Sequence, residues 1–244
     1  MQFNVLTALG LRENHYMLDI GCGSLRAGKL LIPYLLPQRY HGVEPQEWLV
    51  RQGIEKEIGK DLVALKSPRF AHNFEFDLSS FGRKFDFLVA QSILSHTDVD
   101  MTMKCLRSAR EVMHERSVFA ATYVEGDTNY DGDEAWVYPG CVTYQWDYFK
   151  GMVADAGLKA IKMQWDHPGW QTWVASVDPS NDSTSVMLDP ANASRLLQHP
   201  YVSFGMKVRS WLKGLLSQSY AVVAPPAATV RRVPELRTLA AGAA

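Results

Sequence analysis

The 244-residue sequence has only three cysteines, Cys22, Cys105 and Cys141, and no C-x-x-C pair. That scarcity argues against a disulfide scaffold or a zinc knuckle and suits a reduced compartment. No apolar run reaches the ~18 residues of a membrane span, and the first residues lack the basic start and long apolar core of a signal peptide. A cytoplasmic location is therefore expected. An excess of either charge is also missing, because 25 Lys and Arg stand against 26 Asp and Glu. Such a balance gives no global reason to expect nucleic-acid binding. Two phosphate-binding patterns are absent as well. The glycines Gly21, Gly23 and Gly28 are spaced G-x-G-x-x-x-x-G, which is not the dinucleotide fingerprint, and no Gly-Lys-Ser/Thr follows them.

What the sequence does contain is alternation. "MQFNVLTALG" reads as a short helix, "YMLDI" as a strand, "AGKLLIPYLL" as a helix, "RYHGVE" as a strand and "QEWLVRQGIEKEIG" as a helix. "PRFAHNFEF" and "KFDFLVAQ" read as strands, "DMTMKCLRSAREVMHE" as a helix, "SVFAATYV" as a strand and "QWDYFKGMVADAGL" as a helix ending on Gly157. Such alternation predicts an α/β fold with a mainly parallel sheet and helices on both faces. Two strand-like runs around Asp166-His167-Pro168-Gly169 predict an antiparallel hairpin that closes the sheet.

"LDIGCGS" places Asp19 at the carboxyl end of a strand, just before the glycine turn. A carboxylate there repels a pyrophosphate and suits a ligand with positive charge. Glu44 ends "YHGVE", where a carboxylate can accept two hydroxyl hydrogen bonds from a ribose diol. Asp77 follows "NFEF", and the strand "DFLVAQ" begins nine residues on, at Asp86.

Three acids at the ends of three consecutive strands, with a wide glycine turn after the first, resemble the class I S-adenosylmethionine-dependent methyltransferases. The resemblance covers residues 5 to about 178 through "LDIGCGS", "YHGVE", "FEFDLSSF" and "KFDFLVAQSILSH", in that order. It implies a Rossmann-like seven-stranded sheet, S-adenosylmethionine as cofactor and S-adenosylhomocysteine as product. By position, Gly21 and Gly23, with Cys22 between them, would admit the methionine part, and Asp19 would orient that turn and the ammonium. Glu44, followed by Pro45, would hold the ribose; Asp77, with Leu78, would hold the adenine amino group. Gln91, with Ser92, would line the methionine side. "GCGSLRAG" followed by "YHGVEP" also resembles a branch found with bacterial glycan and secondary-metabolite biosynthesis.

Candidates for acceptor chemistry follow from topology, because ligands of open parallel sheets lie over the carboxyl ends of the strands. An oxygen or nitrogen nucleophile must lose a proton, which a neutral His or a carboxylate can take near pH 7. His96 follows the cofactor-lining strand and is the leading base candidate, with Asp131, Glu134 and His167 next. "DTNYDGDEAWVY", residues 127–138, matches the first half of a calcium loop, but Tyr138 stands where a bidentate Glu is needed. A solvated turn or a flap over the acceptor is expected there, and no metal. Five of the seven tryptophans fall at Trp136, Trp146, Trp165, Trp170 and Trp173. Aromatic faces at a pocket rim suit a sugar ring or a flat acceptor, while Trp165 and Trp173 are expected in the sheet core.

The expected function is methylation of a small molecule or saccharide, on oxygen. The alternatives are nitrogen methylation of an amino sugar or metabolite, and a non-catalytic partner subunit that keeps the cofactor fold. A nucleic-acid substrate is not expected, since no Asn/Asp-Pro-Pro-Tyr/Phe run and no basic face is visible in the catalytic part. The domain is expected at 1–178, followed at 179–244 by a linker, a basic amphipathic helix and a disordered tail. From Ala191 to Pro234 there is no Asp or Glu but six Lys or Arg. The helix at 204–216 is read as docking on its own domain or on a second subunit of a homodimer. Its alternative is contact with an anionic membrane surface.

Overall fold

The computed structural model describes residues 1–130 and 140–181. The expectations for Asp131, Glu134, Trp136 and Tyr138, and for everything from residue 182 on, including the helix at 204–216, lie outside the described residues. In chain order the elements are α1 (Gln2–Ala8), β1 (Met17–Ile20), α2 (Gly28–Tyr34), β2 (Tyr40–Val43), α3 (Glu47–Gly53), α4 (Lys60–Lys66) and β3 (Arg69–Ala71). They continue with β4 (Phe85–Ala90), α5 (Val99–Glu111), β5 (Met113–Glu125), β6 (Thr143–Tyr144), α6 (Trp146–Asp155), β7 (Lys159–Lys162) and β8 (Thr172–Val177).

The strands form one sheet in the order β3-β2-β1-β4-β5-β8-β7, with the two-residue β6 added beside β5. All neighbours run parallel except β8, which is antiparallel to both β5 and β7. That is the expected parallel sheet with a closing hairpin, and β6 is the one strand beyond the seven anticipated. Each strand has apolar residues on both faces, so both are covered. Leu18, Ile20, Leu88, Phe119 and Val174 pack with α5 and α6 through Leu106, Phe149 and Val153. Met17, Val89, Ala120 and Trp173 pack on the other face with α1, α2 and α3 through Leu6, Leu31 and Val50.

Local chemistry explains where the elements differ from the sequence reading. "PRFAHNFEF" is a strand only over Arg69–Ala71. Past that point Asn73 and Asp77 clamp each other, the side-chain amide donating to the Asp77 carbonyl at 3.2 Å and its oxygen accepting the Asp77 N–H at 2.9 Å. Phe76 sits at φ +51, which no extended strand allows. The single helix expected after Glu44 is broken: α3 runs into a π-helical turn over Ile54–Ile58, which stops at Gly59 (φ +79) before α4 begins. α5 starts slightly earlier than "DMTMKC", because Asp98 caps it by accepting the Met101 N–H at 2.8 Å. β5 extends back to Met113, past a register irregularity against β4.

Candidate active site

The strand order reverses direction between β1 and β4, so the crevice over their carboxyl ends is where a ligand of this architecture binds. The glycine turn leaves β1 at that point. The N–H groups of Gly21 and Cys22 both donate to the Val43 carbonyl, at 2.8 and 3.1 Å, tying the turn to β2. Gly21 and Gly23 have φ of +72 and +52, the left-handed region that favours glycine. A Cβ on Gly23 would meet nothing within 4 Å, so the turn opens there onto empty space. Gly53 of α3 plays a supporting part that its sequence context does not show. A Cβ at Gly53 would lie 2.5 Å from the Ser24 carbonyl oxygen, so only glycine lets α3 pack on the turn.

Glu44 closes this unit. Its Oε2 accepts the Gly23 N–H and its Oε1 the Gln46 N–H, each at 3.0 Å, beside the half-buried Pro45. Two lone pairs per oxygen leave the carboxylate capacity for further donors. Asp19 is only 3% exposed, and its Oδ2 accepts from the Tyr40 hydroxyl at 2.7 Å. Burial pushes its pKa from 3.8 up to about 6, the Tyr40 bond opposing this and the nearby Glu44 charge adding to it. The same burial and the two acids push the Cys22 thiol up, so it stays protonated, with its sulfur against the bare Cα of Gly42.

Asp77 is exposed and caps a 3₁₀ turn over Ser79–Phe81, its Oδ1 accepting from Ser79 Oγ at 2.8 Å and the Ser80 N–H at 3.2 Å. It borders a groove of about 540 Å³ between this loop and Met103, Lys104 and Arg107 of α5. Leu78 is wholly buried in the core, and its N–H donates to Ser108 Oγ at 3.3 Å.

The end of β4 meets the connection between β7 and β8. The Ser92 N–H donates to Thr122 Oγ1 at 2.8 Å, the Thr122 hydroxyl to Gln171 Oε1 at 2.6 Å, and the Gln171 amide back to Ser92 Oγ at 3.0 Å. This closed ring of three side chains holds Ser92 at φ +57. Sequence reasoning missed Thr122 and Gln171, and no local pattern marks them. Beside the ring, the Gln91 amide lies 3.0 Å from Nε2 of His167. His96 stands apart on the same rim, in a 3₁₀ turn over Leu94–His96, its Nδ1 3.3 Å from the Gly140 carbonyl and 3.6 Å from Cys141 Sγ. A carbonyl only accepts, so a neutral His96 in this contact carries its proton on Nδ1 and its basic lone pair on Nε2. Trp173 is wholly buried and Trp165 partly so, both in the sheet core as expected, whereas Trp170 is 80% exposed. Among the described residues no group of three His, Cys, Asp or Glu side chains could hold a metal ion, and no helix is long and apolar enough to cross a membrane.

A Rossmann-like sheet whose glycine turn is backed by acids at the ends of its two neighbouring strands, here Asp19 and Glu44, defines the class I methyltransferase architecture. Residues 18–119 match the family model described as a methyltransferase domain. Similar solved structures include the magnesium protoporphyrin IX methyltransferase of Synechocystis PCC 6803 with bound S-adenosylmethionine, at 14% identity and a TM-score of 0.54, covering 72% of this chain and 78% of that one. The glycopeptide N-methyltransferase MtfA complexed with S-adenosylmethionine is similar at 10% identity and a TM-score of 0.56, covering 73% and 93% of the two chains. The mitomycin 7-O-methyltransferase MmcR is similar at 15% identity and a TM-score of 0.55, with 72% and 52% covered. No curated protein matches by sequence. Residues 18–119 thus match a methyltransferase domain, and the chain shares the fold of class I S-adenosylmethionine-dependent methyltransferases.

Proposed function

We propose that the protein transfers the methyl group of S-adenosylmethionine to an oxygen of a small molecule or glycan. The observation that carries this reading is the joined unit of Gly23 and Glu44 at the switch point, with the buried Asp19 behind it. The residues fit the cofactor's chemistry. Open space at Gly23 admits a chain against the backbone, the Glu44 carboxylate suits a diol, and the buried Asp19 suits a cation. Asp77 faces outward with an acceptor to offer an amino group, and Gln91 and Ser92 border the turn from β4.

When bound, the cofactor supplies an electrophilic methyl on a sulfonium. The protein's part is alignment of nucleophile and methyl carbon, which can supply ~7–11 kcal/mol. His96 Nε2 is proposed to take the acceptor's proton, with its Nδ1–H held on the Gly140 carbonyl. Trp170 is proposed to offer an aromatic face to the acceptor, and Asp131 and Glu134 to contact acceptor hydroxyls. The catalytic unit is taken as residues 1–178. Nitrogen acceptors are the second reading, since the solved structures of this architecture include both O- and N-methyltransferases.

The test combines calorimetric titration of the full chain with S-adenosylhomocysteine and a methyl-transfer screen over glycans, sugar nucleotides and aromatic hydroxyls. Micromolar binding with transfer to a hydroxyl supports the reading. Absence of binding removes it, and transfer only to amines replaces oxygen by nitrogen.

A further inference from the structure

Glu44 is the first residue past β2, and the ladder between β2 and β3 ends at the pair Val43 and Ala71. One more backbone bond follows, the Glu44 N–H donating to the Ala71 carbonyl at 3.1 Å. The next residue is Pro45, so the peptide that joins the two has no N–H. Its carbonyl is therefore the only group through which a hydrogen bond can fix that peptide plane. His72, the first residue past β3, supplies the bond, with Nδ1 2.7 Å from the Glu44 carbonyl oxygen. A carbonyl only accepts, so Nδ1 carries a proton and donates it.

This plane matters to the carboxylate. Pro45 locks its own φ, so the direction of the next N–H, that of Gln46, depends on how the Glu44–Pro45 peptide is set. The Gln46 N–H turns back to Glu44 Oε1 at 3.0 Å, while the Gly23 N–H holds Oε2 at 3.0 Å. The carboxylate is thus held by two amides. One belongs to the glycine turn, and the other is reached through the peptide that His72 clips. His72 itself is exposed, so its bond to Glu44 is not a by-product of core packing.

We infer that His72 is a positioning residue for the cofactor's ribose. It clips the carbonyl between Glu44 and Pro45 and so aims the Glu44 carboxylate, without itself touching the ligand. The inference rests on the cofactor reading proposed above. It makes the ribose end a three-part unit of Gly23, Glu44 and His72, drawn from the exits of three neighbouring strands.

The experiment titrates the full chain with S-adenosylhomocysteine and with its analogue lacking both ribose hydroxyls. His72→Leu should weaken S-adenosylhomocysteine about fivefold, the worth of one hydrogen bond, and leave the analogue nearly unchanged. His72→Asn puts an amide N–H close to the place of Nδ1, so it should recover most of that loss. In a Glu44→Ala background His72→Leu should cost nothing more, because no carboxylate is left to aim. Equal losses for both ligands, no loss in His72→Leu, no recovery in His72→Asn, or an undiminished loss in the Glu44→Ala background overturns the inference. The reading beneath it fails separately. A wild-type chain that does not bind S-adenosylhomocysteine overturns the cofactor, and unchanged affinity in Glu44→Ala alone overturns the ribose assignment.

Discussion

Glu44 Oε2 accepts the Gly23 N–H at 3.0 Å, so the acid at the end of β2 and the glycine turn after β1 are one mechanical unit. The carboxylate shapes the turn and is proposed to hold the ribose. Glu44→Ala should therefore weaken S-adenosylhomocysteine by roughly 1.5–3 kcal/mol, the range for a charge-assisted acceptor. Glu44→Gln, which keeps one acceptor oxygen, should fall between the two. Calorimetry decides, and an unchanged dissociation constant in the Ala variant would remove the ribose assignment.

Asp19 predicts a conflict between stability and binding. Its folded pKa, about 6, is above the unfolded value near 3.8, so the folded state binds the proton more tightly. Stability from this group is therefore full below about pH 4 and is lost as pH rises through 6, at most about 3 kcal/mol. Asp19→Asn can still bond Tyr40 but cannot ionise. Relative to wild type, its melting temperature should rise between pH 5 and pH 8, while its affinity for the cationic cofactor falls. Parallel melting curves for both proteins across that range would sink the argument.

Two glycines should fail in different ways. Gly23→Ala faces open space, so it should cost only about 1–2 kcal/mol for its left-handed backbone, and its methyl would obstruct the ligand. Gly53→Ala instead pushes on the Ser24 backbone and should cost ~1–3 kcal/mol of stability by displacing α3. Denaturant unfolding paired with ligand titration separates the two, and a normal melting point for Gly53→Ala would contradict the packing described.

His96 should act on the acceptor and not on the cofactor. His96→Ala should lower kcat ~10²–10⁴-fold and leave S-adenosylhomocysteine affinity nearly unchanged. His96→Gln can hydrogen-bond but cannot take the proton, so near-wild-type kcat in that variant would end the base assignment.

Activity is expected to survive EDTA and not to respond to calcium or magnesium. Loss on chelation, restored by one added metal, would make the 127–134 segment a metal site.

Much of the fold was legible because its causes are local. The strand and helix periods from "YMLDI" to "SVFAATYV" depend on near neighbours, and the hairpin around His167 is punctuated by Pro168 and Gly169. Asp19 and Glu44 at the ends of β1 and β2 were legible for the same reason, whereas Asp77, expected at a strand end, lies in the loop past Ala71, where β3 has already ended. Where the reading overran, at "NFEF" and after Gly53, side-chain clamps and left-handed backbone overrode a plausible period.

The sequence by itself determined the alternating architecture, the glycine turn and the carboxylates Asp19 and Glu44 at the ends of β1 and β2. Only the tertiary structure decided what those groups do to each other. Ser92 and Gln171 are 79 residues apart, Gln91 and His167 are 76 apart, and their pairing depends on β8 inserting between β5 and β7. The high pKa of Asp19 depends on packing that closes off water, and the room at Gly53 depends on where α3 crosses the turn. Burial and hydrogen bonds between distant residues arise from assembly, and no local pattern along the chain encodes them.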